Sequence, residues 1–252
     1  MHKTIDSTLD GKVALVTGAS KGIGRAIALA YARHGAAVCC AGRTVGELDA
    51  LVADIRARDG KAMAVATDVT DPDAVQRMVG ACSEAFGRLD ILVINAGVEP
   101  EGTTVEDSDI TRWRQTLEVN LFGAYYCARA AVPAMKAGGG GKIITIGSGM
   151  GHRGLPRISD YSVAKAGLWM LTRVLAQELA PYAIDVNELI PGPVVTAMTS
   201  AQISQTHMSD NPALQLEWMK QPEDVIPLAL FLAGQAQRGP TGQCFSLTRR
   251  EI

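Results

Sequence analysis

Three features of the sequence predict a doubly wound α/β fold, a single domain of 252 residues built on a seven-stranded parallel sheet with helices on both faces. From Lys12 onward, short apolar β-prone runs alternate with longer segments of helical period, the pattern left by parallel strands and their crossover helices. The runs are apolar along their whole length, so each must be covered on both sides. A glycine-rich turn joins the first run to the first helical segment, where a sheet of this kind places its phosphate-binding loop.

Strands are expected at Val13 to Thr17, Ala37 to Ala41, Ala62 to Ala66, Ile91 to Ile94, Lys142 to Ile146, Ile184 to Leu189 and Gln243 to Leu247. Helices are expected at 23–34, 46–58, 72–86, 110–136, 160–180 and 222–233. Their ends carry suitable punctuation. Gly35 and Gly60 stop the first two, while Asp71-Pro72 and Gln221-Pro222 start the third and the last. Gly138 to Gly141 reads as a helix-to-strand turn, because strand-like residues resume at once. Residues 196–221 break the rhythm with a polar stretch rich in Ser, Thr, Gln and Met. It is longer than an ordinary connection and is expected to form a substrate lid, with Met198, Met208 and Trp218 as its large apolar groups.

Composition excludes several classes of function. Basic and acidic residues number 24 and 26, so no electrostatic drive toward nucleic acid exists. No apolar run approaches the ~20 residues of a membrane span, and Met1 to Asp6 lacks the apolar core of a signal peptide. A soluble, cytoplasmic protein is expected. The five cysteines, Cys39, Cys40, Cys82, Cys127 and Cys244, are scattered, with no CxxC pair and no neighbouring His. Their spacing supports neither a disulfide framework nor a zinc site, and no metal is expected.

The first βα turn reads Thr17-Gly18-Ala19-Ser20-Lys21-Gly22-Ile23-Gly24, and its glycines admit a pyrophosphate to the N-H groups of the following helix. Tyr161 and Lys165 stand at i and i+4, on one helix face and so available to one site. An ammonium there is expected to pull the phenol pKa down from ~10. Ser148 lies thirteen residues before Tyr161, among Gly147, Gly149 and Gly151, a position from which its hydroxyl can hold a substrate oxygen. Asn120 falls in mid-helix, where Asn is unfavourable; its reason for being there is either chemical or a kink bonded to local backbone.

Taken together, the Gly-x3-Gly-x-Gly turn, Asn95-Ala96-Gly97 at the end of the fourth strand and Tyr161-Ser162-Val163-Ala164-Lys165 resemble the short-chain dehydrogenase/reductase family, from about Leu9 to Leu247. The resemblance implies a Rossmann-type fold and, usually, a homotetramer. It implies Tyr161 as proton donor, Ser148 as the group orienting the substrate and Lys165 as holder of the nicotinamide ribose. Asn120 would serve a water-mediated proton relay. Coenzyme contacts would come from Gly18, Ser20, Lys21, Gly22, Ile23 and Gly24, from Asp68-Val69 at the adenine, and from Asn95, Ala96 and Gly97. Pro191-Gly192-x3-Thr196 would meet the nicotinamide carboxamide.

Charge selects the coenzyme. The second strand ends Ala41-Gly42-Arg43, with glycine where an acidic residue would bond the ribose hydroxyls of NAD. Arg43 and Lys21 are placed to flank a 2'-phosphate, so NADP(H) is expected. The expected activity is reduction of a small ketone or aldehyde to the alcohol. A 3-oxoacyl thioester reductase is the alternative. Against it, the chain lacks an Asp-Gly-Gly tail and carries Pro181-Tyr182 where carrier-protein reductases have a basic residue. A coenzyme-sensing protein without turnover is the distant alternative, disfavoured by the presence of both Tyr161 and Lys165.

Overall fold

The computed structural model describes residues 8–196 and 218–249. Seven parallel strands run β1 (Val13–Thr17), β2 (Ala37–Gly42), β3 (Ala62–Ala66), β4 (Ile91–Ile94), β5 (Gly141–Ile146), β6 (Ile184–Ile190) and β7 (Cys244–Ser246). They lie side by side in the order β3-β2-β1-β4-β5-β6-β7, a Rossmann-type sheet whose order reverses between β1 and β4.

The period-2 alternation of side chains divides the apolar strands between two cores. In β1, Ala14 and Val16 enter one cluster while Val13 and Leu15 enter the other; Val38 and Cys40 of β2 are separated in the same way from Cys39 and Ala41. Helices α1 (Gly22–Arg33), α2 (Val45–Arg56) and α8 (Ile226–Gly234) cover the first face. The second is covered by α3 (Pro72–Phe86), α5 (Gly123–Ala137) and α7 (Ser159–Leu179). No described helix is long and apolar enough to cross a membrane.

Four elements differ from expectation. The single helix at 110–136 is α4 (Ile110–Leu117), a π-helical turn (Glu118–Phe122) and α5 in succession. The cause is visible at Asn120, whose Nδ2 donates to the Thr116 carbonyl at 3.1 Å, the group an α-helix would pair with its main-chain N-H. The glycine-rich stretch after β5 contains a short helix, α6 (Met150–Arg153), which a run of glycines conceals from any propensity argument. The last strand is trimmed to Cys244–Ser246, pairing only with β6. Before α8, Pro222–Val225 forms a 3-10 turn closed by a reciprocal Gln221 and Asp224 capping box.

The two ends of the 196–221 excursion meet. Val194 bridges to Lys220, and the Val195 N-H donates to the Lys220 carbonyl at 2.8 Å. The body of the expected lid, Met198 and Met208 included, lies outside the described residues; Trp218 is exposed, with the Lys220 ammonium 4.8 Å from its ring centroid.

Candidate active site

Where β1 and β4 part company, their connections leave on opposite sides of the sheet and open a crevice at the C-terminal strand ends. The cleft there has a volume of about 290 Å³. Its walls include Gly18, Ser20, Lys21, Gly22, Ile23, Arg43, Asp68, Val69, Asn95, Ala96, Gly97, Asn120, Tyr161, Lys165, Pro191, Gly192 and Thr196. Gly24 and Ser148, also singled out from the sequence, adjoin it: Gly24 packs on Gly18, and Ser148 is hydrogen-bonded to Tyr161.

The cradle is built for an anion. α3 and α4 begin under capping carboxylates, Asp71 and Asp109. α1 begins at Lys21 with neither a side-chain cap nor an acidic residue in its first turn, so its free N-H groups and positive dipole end face the cleft. Gly24 lets the turn close this tightly, since a Cβ there would overlap the Gly18 carbonyl oxygen and approach Asn95 Nδ2 to 2.5 Å. Asn95 braces the turn from the neighbouring strand: its Nδ2 donates to the carbonyls of Thr17 at 2.9 Å and Gly18 at 3.1 Å. Thr17 Oγ1 answers by accepting the N-H groups of Asn95 at 3.0 Å and Ala96 at 3.1 Å. Asn95 therefore shapes the cradle with its side chain, a role its sequence position did not reveal.

At the far end of the cleft, Asp68 is fixed by Thr70, whose N-H and hydroxyl both donate to its Oδ1, at 3.0 and 2.8 Å. These bonds, with help from the Arg43 charge, hold its carboxyl below the ordinary range despite partial burial. Arg43 and Lys21 are exposed beside it, and Gly42 ends β2 between them.

At the other end, α7 presents Tyr161 and Lys165 on one face, as the i, i+4 spacing requires. The Lys165 ammonium donates to the Ile146 carbonyl at 2.8 Å and sits 5.6 Å from the Tyr161 ring centroid. Burial pushes Lys165 down to about 8, an effect the Glu188 carboxyl partly opposes. Burial pushes the Tyr161 phenol up, and a hydrogen bond from Ser148 offsets part of the rise. In the chain alone, then, the phenol is higher than its ordinary value and not lower: desolvation outweighs the Ser148 bond, and Lys165 is a ring's width away. Ser148 Oγ also accepts the Met150 N-H at 3.2 Å, which turns the chain into α6.

Asn120 uses its whole amide on backbone. Oδ1 accepts from Val98 N at 3.2 Å, and Nδ2 donates to the Val98 and Thr116 carbonyls, both at 3.1 Å. Both Nδ2 hydrogens are thus committed, and any part in proton transfer falls to the remaining lone pair of Oδ1 or to the main chain. Beyond the residues singled out from the sequence, the cleft is lined by Thr44, Thr67, Val119, Ile146, Gly147 and Val194. Apart from Val119 in the π-helical turn, these are strand-end and loop positions of ordinary residue type, for which no local sequence signal exists.

Comparison with known proteins agrees with this geometry. Residues 12–207 match the family model for short chain dehydrogenases. The trans-4-hydroxycyclohexanecarboxylate dehydrogenase of Sinomonas cyclohexanicum is 44% identical over 195 residues, 75% of this chain and 74% of its own. A 3-oxoacyl-[acyl-carrier-protein] reductase of Synechocystis is 37% identical, covering 96% of this chain and 97% of its own. Among solved structures, a candidate NAD(P)-dependent gluconate 5-dehydrogenase from Beutenbergia cavernae, holding NADP at low occupancy, superimposes with a TM-score of 0.87. It is 36% identical, over 96% of this chain and 97% of that one. The chain belongs to the short-chain dehydrogenase/reductase family and is an oxidoreductase of that family.

The tight turn at Gly24 gives a direct test of the cradle. Gly24→Ala forces Gly18 and Asn95 outward, so it should weaken coenzyme binding by at least about tenfold, a loss of ~1.4 kcal/mol, in a fluorescence titration with NADPH. The far-ultraviolet circular dichroism should not change. Unaltered affinity would show that the turn does not hold the coenzyme phosphates.

Proposed function

We propose that the protein is an NADP(H)-dependent oxidoreductase that reduces a small ketone or aldehyde to the alcohol, reversibly, with Tyr161 as general acid. The observation that carries this reading is the convergence of Tyr161, Lys165 and Ser148 at one end of a cleft whose other end is an uncapped helix N-terminus. A bound nicotinamide supplies the hydride. Ser148 holds the carbonyl oxygen, and Tyr161 delivers its phenolic proton to that oxygen as negative charge develops there. A phenol raised by burial is protonated at neutral pH, the form reduction needs. In the reverse direction, the Lys165 charge stabilises the phenolate. Lys165 has three N-H donors and spends one on Ile146, leaving two for the ribose hydroxyls of the coenzyme.

A relative named for a hydroxycyclohexane carboxylate supports a secondary alcohol or its ketone as substrate. A relative named for 3-oxoacyl reduction supports the thioester alternative, and the same three residues would serve it. NADPH oxidation with cyclic ketones and with an acetoacetyl thioester separates the two readings. With whichever substrate turns over, Tyr161→Phe should lower kcat by ~10²- to 10⁴-fold while coenzyme affinity stays within about twofold. Retention of more than about a tenth of wild-type turnover would remove Tyr161 from the role.

Selection of NADP rests on Gly42, Arg43 and Lys21, and the NADP-bound solved relative supports it. One charge-assisted hydrogen bond is worth ~1.5 to 3 kcal/mol, roughly ten- to a hundredfold in affinity. Arg43→Ala should weaken NADP by that factor and leave NAD nearly unchanged. Gly42→Asp should invert the preference, by repelling the 2'-phosphate and accepting from the ribose hydroxyls. There is room for the new side chain, since a Cβ at Gly42 would meet Leu48 Cδ2 at 3.7 Å and Ser20 Oγ at 3.8 Å. Wild-type affinity for NAD equal to that for NADP would overturn the assignment.

The assembly is proposed as a homotetramer. Phe122 and Tyr125 beside the π-turn, and Val163, Met170 and Val174 along one face of α7, are exposed apolar groups on neighbouring helices, the kind of surface that subunit contacts cover. Light scattering on the purified protein should return the mass of four chains. A monomer at micromolar concentration would exclude it.

A further inference from the structure

We propose that His152, Glu188 and Cys244 form a binding site for a divalent cation of the zinc class, which adjoins the coenzyme cleft at Gly147 and is inferred independently of the reading above. The three come from different elements: His152 from α6, Glu188 from β6 and Cys244 from β7. His152 Nε2 lies 2.9 Å from Glu188 Oε2 and 3.9 Å from Cys244 Sγ, and all three ligand atoms fall within 4.8 Å of one another. Tetrahedral zinc, with bonds of ~2.1 Å to N and O and ~2.3 Å to S, sets N and O about 3.4 Å apart and N and S about 3.6 Å apart. Closing on the ion therefore changes the nitrogen–oxygen and nitrogen–sulfur separations by about half an ångström or less and asks at most about 1.2 Å of the oxygen–sulfur pair. Nitrogen, oxygen and sulfur donors in equal number suit zinc, and three protein ligands leave a fourth position for water.

Two of the ligands are set by the sheet itself. Glu188 and Cys244 are direct register partners across β6 and β7, so their side chains leave the same face at one strand spacing. The third is oriented by packing, with the His152 ring against Trp169 at a centroid distance of 4.7 Å.

A plain histidine–glutamate pair accounts for only part of this cluster. Glu188 is wholly buried, and its Oε1 has no hydrogen-bond partner among the described residues; the Lys165 charge acts on it only through space, and a cation in direct contact would offset the cost of the unbonded oxygen. The backbone has been kept open for that carboxyl group: a Cβ at Gly147 would overlap Glu188 Oε1 and approach its Cγ to 2.6 Å. A dication bound by one carboxylate and one thiolate makes a neutral unit, with the Cys244 thiol proton released to solvent.

The test uses tag-free full-length protein stripped of metal, titrated with Zn2+ against a chromogenic chelator, with Co2+ as a spectroscopic probe. One Zn2+ per chain is expected, with a rise in thermal midpoint on binding and, for Co2+, a near-ultraviolet thiolate charge-transfer band. Cys244→Ser and His152→Gln should each weaken Zn2+ by at least about tenfold, and Cys244→Ser should abolish the band. Cys244 is only half-buried and the other four cysteines are fully buried elsewhere in the fold, so this variant is expected to fold even if Glu188→Gln does not. Substoichiometric binding to the wild type, Co2+ binding without the charge-transfer band, or equal Zn2+ affinity in wild type and Cys244→Ser would each overturn the proposal.

Discussion

The clasp between the ends of β1 and β4 is the constraint on which the rest of the site depends. Four hydrogen bonds cross between the two strand ends: two join Thr17 and Asn95, one runs from Asn95 to Gly18 and one from Ala96 to Thr17. They sit where the strand order reverses, so no crossover helix covers that end of the sheet. Without the clasp, the carbonyls of the glycine turn would face an open crevice. With it, the Thr17 and Gly18 carbonyls are bonded by Asn95 Nδ2, and the N-terminus of α1 is left without a side-chain cap. The shape of the cleft at this end thus follows from a side-chain amide on a neighbouring strand as much as from the glycines.

A second constraint is burial without neutralisation around α7. Lys165 is tied to a main-chain carbonyl, which fixes the ammonium, and its burial lowers its proton affinity. Tyr161 is desolvated in the same pocket and moves the opposite way. Desolvation disfavours whichever form is charged, so it pushes the acid up and the base down and sets the two groups further apart in proton affinity than they are in water.

Glu188 belongs to the same electrostatic neighbourhood. It stands in β6 between Asn187 and Leu189, wholly buried, and its field favours the charged form of Lys165. The glycines after β5 serve both sites. Gly147 admits the Glu188 carboxyl group, while Gly151 lets α6 lie directly on the Lys165 backbone, where a Cβ would come within 2.6 Å of the Lys165 carbonyl carbon. A stretch that looks like turn filler is in fact the packing surface between α6, α7 and β6.

The seven strands and most helices were legible in the sequence because their signals are local. Apolar runs, a 3.6-residue period and Gly or Pro punctuation each act within a few residues of where they are read. The glycine turn and the Tyr161 and Lys165 pair were legible for the same reason, since a βα turn and one helix turn are short. What depended on tertiary structure involves partners far apart in the chain. The π-turn exists because Asn120 binds both Thr116 and the distant Val98. Asn95 is a brace because β4 lies beside β1, and the direction of the Tyr161 shift follows from what surrounds it. Cys244 and His152, 92 residues apart, come together only because β7 pairs with β6 and α6 folds back over it. Local chain stiffness and hydrophobic period decide which elements form; contact and dielectric, which exist only after packing, decide what their side chains do.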